Sequence, residues 1–188
     1  PESPTAARSL LAEAEKRAQI ALSADRQEPF NHVVAGWAAF QAGRHTAGIA
    51  AFQQALELNP ASARTNMSAA EAFGYAGDAG RARELASTAM RLMSPPFPPY
   101  FYGYLAMIEY VAGDFDSCLA LCEKAPRNAE TATLQVAALS RRGDGKAARS
   151  AAARLIGELA IEHGRSCTLH DVGAWLAGKK MFRDPGER

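Results

Sequence analysis

Three groups of residues in this chain have types and spacings that could do chemistry. His163, Cys167 and His170 follow one another by four and three residues, steps that would put metal ligands on one side of a helix. Gly164 and the capping pattern of Thr168 with Asp171 interrupt that helix, and a fourth ligand is missing, so no metal is expected. Cys118 and Cys122 stand one helical turn apart, but two thiols do not close a zinc site, and they read as small apolar packing on an inward face. Arg142-Gly143-Asp144-Gly145-Lys146 echoes a phosphate loop without its GxxxxGK spacing or a preceding strand. No GxSxG elbow, HExxH helix or GxGxxG fingerprint occurs. The expectation is a chain with no catalysis of its own and no cofactor.

Charge narrows the partners. Lys and Arg number 21 against 20 Asp and Glu among 188 residues, a net charge of +1. That balance creates no long-range field to gather nucleic acid or an anionic membrane. Glu13, Glu15, Glu28, Glu57 and Glu71 are scattered as on solvated helix faces, and Arg141, Arg142, Lys146, Arg149 and Arg154 form a modest basic strip of the same kind. No apolar run reaches the roughly 18 residues needed to span a bilayer, and no secretory leader is present. Three cysteines argue against a disulfide scaffold and point to a reducing cytoplasm. Pro1 as first residue suggests a piece of a longer protein.

These side chains must be held by helices. About forty alanines, roughly three times ordinary usage, sit among Leu, Arg, Glu and Gln, and alternating Val/Ile/Thr stretches are missing. The chain therefore reads as all-α. Gly43-Arg44, Gly77-Asp78, Gly113-Asp114 and Gly143-Asp144 recur at separations of 34, 36 and 30 residues, each flanked by helical patterns of about a dozen residues. A left-handed glycine closes one helix, and the Asp after it caps the next. The unit is helix, tight turn, helix.

The stretch Ala47 to Pro60, AGIAAFQQALELNP, resembles the tetratricopeptide (TPR) family. Gly36 lies in the first helix of that unit, Gly48, Phe52 and Ala55 share a face of the second, and Asn59-Pro60 ends it. Ala69, Ala70 and Phe73 with Ala82, Ala86 and Ala89 repeat the pattern, as do Leu105 and Ala106 with Cys118, Cys122 and Ala125, and Val136 and Leu139 with Ala148, Ala152 and Leu155. Ala39 and Glu109 stand where that family usually has tyrosine, and the third unit is irregular in length. The resemblance implies a right-handed TPR-like α-α superhelix of antiparallel helix pairs. The expected organisation is 1–28 as a lone second helix, 29–160 as about four repeats, and 161–188 as a capping helix from Leu169 to Ala177 followed by a polar tail. Val172, Trp175 and Leu176 would cover the open end.

In such a stack the first helices line the inner wall. They would place Phe30, Val33, Trp37, Phe40 and Gln41, then Arg64, Met67, Glu71 and Tyr75, then Tyr100, Tyr104, Met107 and Tyr110, then Glu130, Ala137 and Arg141 there. The candidate partner groove is Trp37, Phe40, Arg64, Met67, Glu71, Tyr75, Tyr100, Tyr104, Met107, Tyr110 and Arg141, an aromatic and Met-rich surface suited to a peptide or protein with apolar anchors. Val33, Trp37, Met67 and Glu71 occupy the places where chaperone-tail-binding TPR proteins carry Lys and Asn, which argues against a carboxylate clamp. A second expectation rests on Ala55 to Met93, the Pro-rich Ser94–Tyr100 link and the ending Phe182-Arg183-Asp184-Pro185. These resemble the C-terminal TPR region of bacterial signalling proteins, either class III adenylate cyclase-like proteins or winged-helix transcriptional regulators. The chain would then be a regulatory or assembly arm whose partner is its own upstream domain or a second copy.

Overall fold

Glycine sets the punctuation of the chain. In the computed structural model, which describes residues 4–178, Gly43, Gly77, Gly113 and Gly143 have φ of 76°, 85°, 81° and 80°. Each closes the helix before it in one pattern. The Gly43 N–H donates to the Phe40 carbonyl at 2.9 Å and the Arg44 N–H to the Ala39 carbonyl at 2.8 Å, the doubly bonded C-terminal closure that satisfies carbonyls left over by the helix. The helix pairs so formed are α2 (Pro29–Gln41) with α3 (His45–Leu58), α4 (Ala63–Tyr75) with α5 (Ala79–Arg91), α6 (Pro99–Ala112) with α7 (Phe115–Cys122), and α8 (Ala129–Arg141) with α9 (Gly145–His163). Before them comes α1 (Pro4–Ala24), and after them α10 (Leu169–Gly178). Among the described residues the structure is ten helices and no strand.

Aspartate after glycine starts the next helix. The carboxylates of Asp78, Asp114 and Asp144 accept from the N–H groups of Arg81, Ser117 and Ala147, each at 3.0 Å. The first turn departs from this, because Arg44 has no side-chain acceptor; its guanidinium instead pairs with Glu15 of α1 at 2.8 Å. Between pairs, Pro60 and Pro126 end the outgoing helix, and Ser62 and Asn128 cap the incoming one. The buried Asn66 amide ties down one of these links, donating to the carbonyls of Pro60 at 2.8 Å and Ser62 at 2.9 Å. Helix α7 is only eight residues long, since Pro126 arrives early and Glu123–Ala125 turn off it.

The chain forms two compact units divided between Pro95 and Pro96, inside the span expected as one array over 29–160. In the first unit α2 packs on α3 and α4 on α5, while α1 packs on α2, α3 on α4, and α2 on α4. In the second, α6 packs on α7 and α8 on α9, with α7 on α8, α6 on α8, and α9 on α10. Each unit thus repeats one rule: a second helix touches the first helix on either side of it, and successive first helices touch each other. Helix α1 ends before residue 28, and α9 runs three residues past 160. The expected polar tail and the Phe182-Arg183-Asp184-Pro185 ending lie outside the described residues.

The crossing of α2 and α3 shows why small residues were needed. A Cβ on Gly36 would meet the Phe52 ring at 2.7 Å, and one on Gly48 would collide with the Phe40 ring. Phe40 and Phe52 are both fully buried, so each aromatic occupies the space that a glycine on the opposite helix leaves. In the second unit Ala106, Cys118, Cys122 and Ala138 form one buried cluster, and Ala129, Ala132, Leu155, Leu159 and Val172 another.

Gly48→Ala is expected to destabilise the chain by about 1–3 kcal/mol, because the Phe40 ring must leave its rotamer or the helices must part. Gly157→Ala, on α9, where an added Cβ meets nothing within 4 Å, is expected to stabilise it by about 0.5–1 kcal/mol through helix propensity. Denaturant unfolding of the two variants checks both signs.

Candidate partner-binding site

The first unit presents two parallel rows of side chains on adjacent first helices. Along α2, Phe30, Val34, Trp37 and Gln41 recur at the four- and three-residue steps of one helix face, and all are exposed or half-buried. Along α4, Arg64, Ser68, Glu71 and Tyr75 do the same. The rows meet at both ends. The Arg64 guanidinium lies 4.1 Å from the centre of the Phe30 ring, and Tyr75 stands edge-on to Trp37 at 6.4 Å. Those two contacts fix the register, with the N-terminal turns of α2 and α4 at the Arg64 end. Trp37 is also braced from beneath, edge-on to Phe52 at 5.1 Å and to Phe40 at 5.8 Å. Its half-exposed indole is therefore a fixed platform.

Three of the expected groove residues are corrected by their burial. Phe40, Met67 and Met107 are 0%, 1% and 4% exposed, and Val33 is likewise buried. The physical reason is local. Phe40 follows Trp37 by three residues, but its ring turns onto Gly48, and methionine's flexible, apolar chain suits interior gaps better than a wet wall. Trp37, Arg64, Glu71 and Tyr75 are the members that the first unit brings together.

The remaining members fall in the second unit in two groups. Tyr100 is half exposed and edge-on to Tyr104 at 5.7 Å, near the start of α6. Tyr110, at its end, packs against Phe115, whose ring also lies 5.8 Å from the Arg141 guanidinium. Arg142 pairs with Asp116 at 2.8 Å and Arg154 donates to Gln135 at 3.3 Å, so much of the basic strip ties helices of its own unit together. The tyrosines at the start of α6 offer surface; Tyr110 and Arg141 hold the α6–α7 turn.

The backs of the units hold clefts that the residue spacing did not announce. Helices α3 and α5 each pack on α4 and not on one another. Between them lies an open cleft of about 710 Å³ lined by Gln53, Leu56, Glu57, Arg81, Leu85 and Thr88. Its counterpart between α7 and α9, about 420 Å³, is lined by Cys122, Glu123, Arg127, Gln135, Arg154 and Glu158. Both follow from the packing rule, because second helices touch only first helices. Their mixed polar linings look in sequence like any solvated helix face.

The thiols and histidines separate by burial and by helix. Cys118 and Cys122 are buried in the α6–α7–α8 core, and the hydrogen bond to Cys122 together with burial pushes the Cys118 thiol above its ordinary pKa. His163 ends α9 before the left-handed Gly164, whereas His170 lies in the first turn of α10 and Cys167 packs against the Leu155–Leu159 cluster. Among the described residues no three His, Cys, Asp or Glu side chains are grouped to hold a metal, and no helix is long and apolar enough to cross a membrane.

Helix α10 is fastened by charge. The Asp171 carboxylate accepts from the Arg165 guanidinium at 2.6 Å, and from the Thr168 N–H at 2.7 Å and hydroxyl at 2.8 Å. Val172 and Trp175 pack on the Leu155–Leu159 cluster, whereas Leu176 is 43% exposed, since one residue past Trp175 turns about 100° around the helix. The Arg165 and Thr168 hydrogen bonds hold the Asp171 carboxyl well below the usual carboxylate range. Its folded pKa thus lies below its unfolded one. The fastening is complete above the ordinary Asp value of about 3.9 and is lost as pH falls toward the depressed value. In a Trp37→Phe background, Trp175 emission is expected to report loosening of α10 in that acid window. Asp171→Asn is expected to loosen α10 at neutral pH and to remove that pH dependence.

Compared with known proteins, the chain matches no family model and no curated protein sequence.

Proposed function

We propose that this chain is a TPR-like array of antiparallel helix pairs whose first-helix faces bind a peptide or protein partner, without catalysis of its own. The observation that carries this reading is the double row on α2 and α4. A rigid aromatic platform at Trp37 and Tyr75 lies on the same face as Phe30 and Val34, which are 39% and 38% exposed. Rigid aromatics give contact area at small entropic cost on binding, and exposed apolar side chains at helical spacing suit a partner offering its own apolar anchors. Arg64, its guanidinium 4.1 Å over the Phe30 ring, adds N–H donors at that end of the face for a polar group of the partner. Within each unit, the packing of every second helix on first helices is the stacking that TPR-like helix pairs require, which supports this reading. The Cys118–Cys122 pair and the scattered glutamates have ordinary structural roles in this reading.

Peptides selected from a random display library against the whole chain test it. Selected peptides are expected to be rich in apolar anchors, to change Trp37 emission in a Trp175→Phe background, and to bind Arg64→Gln and Tyr75→Ala about tenfold more weakly, a difference of about 1.4 kcal/mol. Peptides that ignore both substitutions, yet lose affinity when Glu57→Lys alters the back cleft, would move the binding site to that cleft.

A further inference from the structure

Peptide binding uses Cys118 and Cys122 only as packing, yet the two thiols stand together in a way that packing does not need. Neither is in a disulfide, they are 0% and 3% exposed, and they are hydrogen-bonded to each other. They lie four residues apart on α7, and Cys122 is its last helical residue. Their surroundings differ. Cys118 lies wholly within the cluster with Ala106 and Ala138, whereas Cys122 also lines the open cleft of about 420 Å³ between α7 and α9. A small reagent entering that cleft meets Cys122 first, with Cys118 one helical turn behind it.

The shared hydrogen bond divides their roles. A thiolate that accepts from a neighbouring S–H is stabilised, so this bond holds the Cys122 thiol below its ordinary pKa while pushing Cys118 up. Glu109 and Asp114 raise Cys118 further, and burial with Glu123 opposes the lowering of Cys122 without outweighing it. Cys122 therefore has the character of an attacking thiolate, and Cys118, which keeps its proton, that of a resolving thiol.

Helix geometry brings the pair close to bonding distance. Residues four apart on a helix have Cα atoms about 6.2 Å apart, inside the range that disulfides span. Their Cβ atoms, about 5–6 Å apart, must close to about 4 Å, so the turn between them has to tighten. A turn inside a long helix resists this. Helix α7 yields more readily, because it ends at Cys122 and Glu123–Ala125 already turn off it.

We propose that Cys118 and Cys122 are a peroxide-oxidised dithiol that closes to a disulfide across the last turn of α7. The Cys122 sulfur attacks one oxygen of a hydroperoxide, an S–O bond forms, the O–O bond breaks, and the other oxygen leaves protonated. The Cys118 sulfur then attacks the Cys122 sulfenic acid, the S–S bond forms, the S–O bond breaks, and the oxygen leaves as water with the Cys118 proton. Two thiols are oxidised and one peroxide is reduced. A thiol reductant reverses the step. The inference is independent of the peptide-binding reading.

Hydrogen peroxide added to the whole reduced chain, followed by alkylation and peptide mass mapping, tests it. The peptide holding both cysteines is expected to lose two hydrogens and to refuse the alkylating reagent until dithiothreitol restores it. Cys167, although more exposed, is expected to react about tenfold more slowly. Cys118→Ala is expected to stop at a Cys122 sulfenic acid that dimedone traps, and Cys122→Ala to leave Cys118 reduced. Mapping of the unsubstituted chain decides the matter even where a variant unfolds. A pair that stays reduced while Cys167 is oxidised overturns the proposal, as does a disulfide joining either thiol to Cys167 or to a second chain. Cys122 sulfinic acid beside a reduced Cys118 overturns it too, and oxidation of Cys118 at the parent rate in Cys122→Ala overturns the order of attack.

Discussion

How close two helix axes can come is the constraint on which the rest of this structure depends. Phe40 fills the gap over Gly48 and Phe52 the gap over Gly36, and each gap exists only because the facing residue lacks a side chain. The reciprocal fit draws α2 and α3 together and turns Phe40 inward, away from the face that its neighbours Trp37 and Phe30 present. The fixed Trp37 platform is therefore a by-product of the crossing. Trp37 is steady because two buried rings, Phe40 and Phe52, stand behind it. In the second unit the small residues Ala106, Cys118, Cys122 and Ala138 form the corresponding core, beside a shorter second helix.

Much of this architecture is legible in the sequence. The glycine period marked each turn, and the aspartates at 78, 114 and 144 cap the helices that the glycines make room for. The capping pattern at Thr168 and Asp171 located α10 to within a residue. These succeed because backbone geometry is decided locally, by a positive φ or a carboxylate three residues ahead of an orphan N–H.

The candidate site was less legible, because an inner wall is a property of helix neighbours. Trp37 and Phe40 differ by three residues and have the same chemical character, yet one is half exposed and the other fully buried. Nothing in residue type separates them; only the position of Gly48 across the crossing does. Met67 and Met107 failed for a related reason, since a methionine serves equally as an adaptable binding surface and as interior filler. The back clefts were invisible because they arise from helices that do not touch. The division at Pro95–Pro96 coincides with the Pro-rich link, which in sequence looked like a spacer within one array.

The turn glycines carry one more consequence, a stereochemical one. At Gly43, Gly113 and Gly143 a side chain would meet no atom within 4 Å, so space does not keep one out. Handedness alone does: the backbone there has the mirror-image torsion that a natural residue resists and an enantiomeric one prefers. A chemically synthesised chain with D-alanine at those three sites would have the same hairpins with stiffer corners, because its unfolded state would have fewer backbone conformations to give up.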